Sequence, residues 1–67
     1  MSIAKTIEIS STSTKSFDDA VVQGLAKASK TVRHIEGAWV KEQKVDVENG
    51  EISRFRVDMK VTFLLNE

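Results

Sequence analysis

Asn49-Gly50 stands between two long stretches in which polar and apolar residues alternate, and no other feature restricts the fold as much. The pair accepts positive φ at both central positions of a type I′ turn, the connection that best suits the twist of a tight hairpin. The pattern predicts two antiparallel strands from about Gly37 to Leu65. With Glu48 opposite Glu51, Gln43 faces Arg56, Lys41 faces Asp58 and Trp39 faces Lys60. Side chains alternate across a strand, so these residues share one polar side of the sheet. Phe55, Val57, Met59, Val61, Phe63 and Leu65 fall on the other side, which is core.

Upstream, Ile3, Ile7 and Ile9 lie on one side of an opening strand, with Thr6 and Glu8 on the other. Ser10-Ser11-Thr12-Ser13-Thr14 reads as a connecting loop, because short hydroxyl side chains compete with regular structure for backbone groups. Ser16, followed by Asp18 and Asp19, is a helix start with a capping hydroxyl and acids in the first turn. Phe17, Ala20, Val21, Gly24, Leu25, Ala28 and Val32 form an apolar stripe at helical spacing, and Lys30, Arg33 and His34 end the helix with positive charge. Gly24 on the packed side predicts a close approach of helix to sheet. A right-handed crossover then gives a β-α-β-β unit. The fold class is α+β: a three-stranded antiparallel sheet of order 1-3-2 packed on one helix, in a single domain over residues 1–67.

Such a chain has little to hold it together. A core of 67 residues rarely supplies more than about 3–5 kcal/mol, so small domains need staples. The absence of cysteine excludes disulfides and thiolate metal sites, and one histidine makes a zinc site within one chain an unfavourable reading. Oligomerisation is the remaining route. The apolar residues of strand two are Ala38 and Val40 near the helix, but Val45 and Val47 beyond Gln43, out of phase with the first pair. Together with Ile52 they mark the hairpin tip as a subunit interface, unless a bulge near residues 42–44 rephases the strand.

Ten basic and ten acidic residues balance to zero net charge, against a general nucleic-acid or membrane-surface binder. No apolar run approaches a membrane span, and Met1 to Lys5 lack the layout of a signal peptide, so a cytoplasmic location is the expectation. No catalytic constellation is visible: there is no thiol, no G-x-S-x-G elbow and no phosphate-binding glycine loop. A non-enzymatic protein is expected. The polar face of the sheet, carrying Trp39, Lys41, Gln43, Arg56, Asp58 and Lys60, is the candidate site. It offers a flat aromatic platform with an amide and a guanidinium for the edge of a planar ligand. Against that stands the plainer reading of a cross-strand ion pair and a tryptophan buried by a neighbouring subunit.

The order and spacing of these segments resemble a known family, the dodecins. The matching pieces are S-F-D-D-A ahead of an Ala- and Lys-rich helix, K-T-V-R-H-I before strand two, and F-R-V-D-M-K-V-T-F-L-L at the close. The resemblance implies a hollow homo-oligomer, a dodecamer, that is not an enzyme and stores or sequesters flavin (FMN or riboflavin) between subunits. Some members also bind coenzyme A. The family's stacking tryptophan falls at Gly37 and its ring-edge glutamine at Arg56, so both signature residues are replaced. Trp39 lies two residues on, about 6–7 Å along the strand on the same face. A rebuilt flavin site then consists of Trp39, Gln43, Arg56, Gly37 and Lys41. The alternative is a flavin-free shell of the same fold with a structural or calcium-binding role.

Overall fold

The computed structural model describes residues 3–65, so the two residues at each end of the expected 1–67 domain lie outside the described part. Strand β1 (Ala4–Ser13) leads into helix α1 (Phe17–Ala28), which is followed by the long strands β2 (Ile35–Glu48) and β3 (Glu51–Leu64). The three strands form one antiparallel sheet in the order β1-β3-β2. Asn49 and Gly50 take φ of 53° and 78°, as the type I′ reading of the turn requires. Among the described residues no helix is long and apolar enough to cross a membrane.

β3 runs down the middle, so its apolar side makes the core. Val57, Met59 and Val61 are fully buried, together with Ala20 of the helix. Ile7 and Ile9 sit beside Val61 and Met59 on β1, and Phe17 meets Phe55 edge to face at 5.2 Å between ring centroids. The helix begins as its sequence indicates: the Ser16 hydroxyl accepts the Asp19 N–H at 2.9 Å. At Gly24 an added Cβ would stand 2.9 Å from the Ser11 Cβ and 3.0 Å from the Met59 methyl. The close approach of helix to sheet therefore needs a residue without a side chain there.

Two boundaries differ from the sequence reading. The Ser/Thr run is not a loop, because β1 continues through Ser13, where β3 is long enough to pair it. The hydroxyls on its helix side become latches: Ser11 Oγ donates to the Ala20 carbonyl at 2.7 Å, and Ser13 Oγ to the Asp19 carboxylate at 2.6 Å. The helix stops at Ala28, not at His34. Ser29 Oγ donates back to the Leu25 carbonyl, Val32 N–H donates to that of Ala28, and His34 turns the chain at φ 63°. Lys27 is the basic residue of the last turn, while Lys30, Arg33 and His34 lie in the turn that follows.

The register of the hairpin is the larger correction. Glu48 faces Glu51 and Trp39 faces Lys60 as expected, but between them the pairing is displaced by one residue. Ser53 is inserted on β3 between Ile52 and Arg54, and Lys41 on β2 between Val40 and Glu42. The two insertions cancel, so the pairs next to the turn and those from Val40 to Gly37 keep the unbulged register while the middle does not; a third irregularity, at Glu36, places Ile35 opposite Phe63. Gln43 faces Val57, Lys44 faces Arg56 and Glu42 faces Asp58. Since one extra residue flips every side chain beyond it, Val45, Val47 and Ile52 turn to the helix side of the sheet and not to the polar side.

That side is only partly covered, because the helix rests on β1 and β3. Val40, Val47 and Ile52 remain 39%, 59% and 53% exposed, while Val45 is half-buried opposite Phe55. The protruding hairpin stretches the molecule to 51 × 19 × 14 Å, with a radius of gyration of 13.7 Å. A compact chain of this length has a radius of about 11 Å.

Candidate functional site

The polar face is built as rungs across the three strands. Thr6, Thr62 and Gly37 form one; Glu8, Lys60 and Trp39 the next; then Ser10, Asp58 and Glu42; then Thr12, Arg56 and Lys44. Trp39 is 67% exposed on this face, and the Lys60 ammonium lies 5.7 Å from the centroid of its ring. A cation over an exposed indole contributes about 0.5–1 kcal/mol, enough to bias the ring's orientation without enclosing it. Gly37 lies on the same face one position along, and an added Cβ there would meet nothing within 4 Å. The platform is therefore open on the side away from the turn.

Lys41 does not pair with Asp58. Its place in the bulge sends it across β3 to the Glu8 carboxylate at 3.2 Å, with both side chains about half exposed. An ion pair so exposed adds no more than about 1 kcal/mol. Asp58 and Glu42 face one another instead, and among the described residues neither has an ion-pair partner.

Arg56 belongs to a separate cluster nearer the turn. Its terminal nitrogen is 3.6 Å from the Asp46 carboxylate, which Arg54 Nε also approaches at 3.3 Å. The Arg56 Nε is buried and has no hydrogen-bond partner. Four residues along β3 separate Arg56 from Lys60, about 13 Å.

Of the five residues assigned to the site from sequence, the structure brings Trp39, Gly37 and Lys41 together and places Arg56 farther along the same face. Gln43 is not part of it: the Lys41 bulge turns its side chain to the helix side, opposite Val57. An amide cannot then fix a ligand edge beside Trp39 within one protomer. The five-residue flavin assignment leaves out Lys60, which the polar face includes and which holds the indole, and Glu8, which holds Lys41. For Lys60 the signal was present, since even the unbulged register puts it opposite Trp39. The arrangement can stack a flat ring on the indole and offer ammonium groups to an anionic substituent. Among the described residues no three His, Cys, Asp or Glu side chains converge in a way that could hold a metal ion.

The family model described as Dodecin matches residues 3–66. A curated relative from Thermus thermophilus, named Dodecin, is 31% identical over 97% of this chain and 94% of its own length. A solved structure of a variant of the Thermus thermophilus dodecin has a TM-score of 0.93 at 30% identity, covering 100% of this chain and 98% of its own. The dodecin of Streptomyces davaonensis has the same score and identity, over 98% of this chain and 97% of its own. A structure from Mycobacterium tuberculosis, described as a calcium-chelating immunodominant antigen, calcium dodecin, has a TM-score of 0.81 at 32% identity over 91% of this chain and 87% of its own.

Proposed function

The chain belongs to the dodecin family, and from that premise we propose that it is a non-enzymatic, self-assembling protein that binds and sequesters a flavin between copies of itself. The observation that carries this reading is Trp39: a large indole, mostly exposed on a face otherwise made of polar side chains. Leaving so much apolar ring in water is explained if a planar ligand or a second copy covers it. Gly37 leaves room beside it for an isoalloxazine, and Lys60 and Lys41 supply positive charge for a ribityl phosphate. Arg56, with its unpartnered Nε, stands too far off to serve the same ring from the same protomer; a second copy is needed to bring one there.

Self-assembly is supported independently by surface. The molecule exposes 4980 Å², where a compact protein of its mass exposes about 4,200 Å². The excess is of the order that one side of a standard interface buries, about 800 Å². The uncovered apolar positions Val40, Val47 and Ile52 are where that burial is most favourable. A dodecameric shell is the assembly the resemblance implies.

The second reading, a flavin-free shell holding a cation such as calcium, is favoured by one observation. Glu42 and Asp58 face each other across the strands without a cation between them, an arrangement that disfavours the sheet unless something positive joins it. Titrating the purified protein with FMN separates the two. Quenching of flavin fluorescence that saturates at a fixed ratio per chain is expected. Undiminished fluorescence, together with a thermal midpoint that rises on adding calcium, would transfer the assignment to the cation.

A further inference from the structure

Two separate surfaces of this chain complement one another. The first is the hairpin tip, where Val47 and Ile52 are exposed on the helix side and Glu48 faces Glu51 on the polar side. Like charges directly across a strand pair are unfavourable, and among the described residues neither glutamate has an ion-pair partner. From Val45 to Ile52 the chain carries three acids and no base, and Asp46 is already held by Arg54 and Arg56.

The second surface is a groove of about 620 Å³ between α1 and β1. Its lining includes Ile9, Gly24 and Ala28 as apolar floor, with Gln23, Lys27 and Lys30 beside them. No acidic residue lines it, and among the described residues neither lysine has an ion-pair partner. Gly24 contributes to the depth of the groove because it has no side chain. β1 is also an edge strand, so one row of its backbone groups faces this side unpaired within the sheet.

We infer that the hairpin tip of one copy docks in the α1–β1 groove of the next, with Val47 and Ile52 against the apolar floor and Glu48 and Glu51 beside Lys27 and Lys30. The contact joins two different patches of the same chain, so it is heterologous and closes only as a ring of copies around a rotation axis. It accounts for three features at once: the repelling glutamates, the unpaired lysines and the two exposed branched side chains. This inference rests on the self-assembly reading above and adds to it the identity of the two contacting segments.

The test is a charge exchange in the full chain, read by sedimentation or light scattering across protein concentration and salt. Lys27→Glu with Lys30→Glu, and separately Glu48→Lys with Glu51→Lys, should each raise the concentration at which the assembly half-dissociates by roughly tenfold or more at low salt. All four changes together should restore it, since the tip is then basic and the groove acidic. The four positions are exposed, and unchanged far-ultraviolet circular dichroism verifies that each variant folds. An assembly indifferent to both pairs, or one that the fourfold variant does not rescue, would overturn this contact and leave the self-assembly reading standing. A monomer from the unmodified chain would instead remove the self-assembly reading itself.

Discussion

Met59→Ala is expected to lower stability by about 2–5 kcal/mol, the largest effect of any single replacement in the core. Met59 is fully buried at the centre of β3, level with Ile9 and Val40, and its methyl lies against Gly24 of the helix. Removing it empties the one place where helix and sheet come closest. That gap cannot close by collapse, because the Ser11–Ala20 hydrogen bond holds the two layers at a set distance. In a domain with only four fully buried hydrophobic residues among those described, such a loss takes most of the monomer's stability. Urea unfolding at matched protein concentration measures it, since subunit association also stabilises the folded state. A loss below about 1 kcal/mol would mean that Met59 is not the packing centre.

Trp39→Ala is the second large effect, and it acts on the site alone. Stacking of a planar base on an aromatic side chain contributes about 1–3 kcal/mol, so removal of the indole should weaken FMN binding about 5-fold to 150-fold. Two copies of Trp39 at one ligand would lose correspondingly more. The ring is mostly exposed and its partner Lys60 is on the same sheet, so the fold and the assembly should persist. Fluorescence titration and light scattering on the same sample read both outcomes. Unchanged FMN affinity would remove Trp39 from the site. A fall in assembly mass would assign the indole to a subunit contact.

Much of this arrangement is legible in the residues. The Asn49-Gly50 turn, the alternating apolar run of β3, the Ser16 cap and the crossover together specify the strand order and the core. What could not be derived is the phase of the hairpin between its ends. A bulge has no residue signature as strong as a turn's, and here two of them, at Lys41 and Ser53, cancel over the length of the strands. The shift of apolar residues from Ala38 and Val40 to Val45 and Val47 was its trace in the sequence. The structure resolves that shift as the Lys41 bulge, which keeps all four on one side. The same bulge removes Gln43 from the polar face and frees Lys41 to reach Glu8. The spacing alone carries the helix past its end because Val32 continues the apolar stripe, while the local hydroxyl bonds of Ser29 and Thr31 to helix carbonyls end it earlier.

The proposed function joins two properties: copies of this chain assemble, and the assembly holds flavin at its Trp39 faces. Native mass spectrometry of the protein equilibrated with FMN reads both in one spectrum. The expected result is a discrete multimer, a dodecamer by family resemblance, whose mass carries a whole number of flavins set by the symmetry. A multimer of bare protein mass at saturating FMN would contradict the flavin assignment, and a monomer would contradict the assembly on which the site depends.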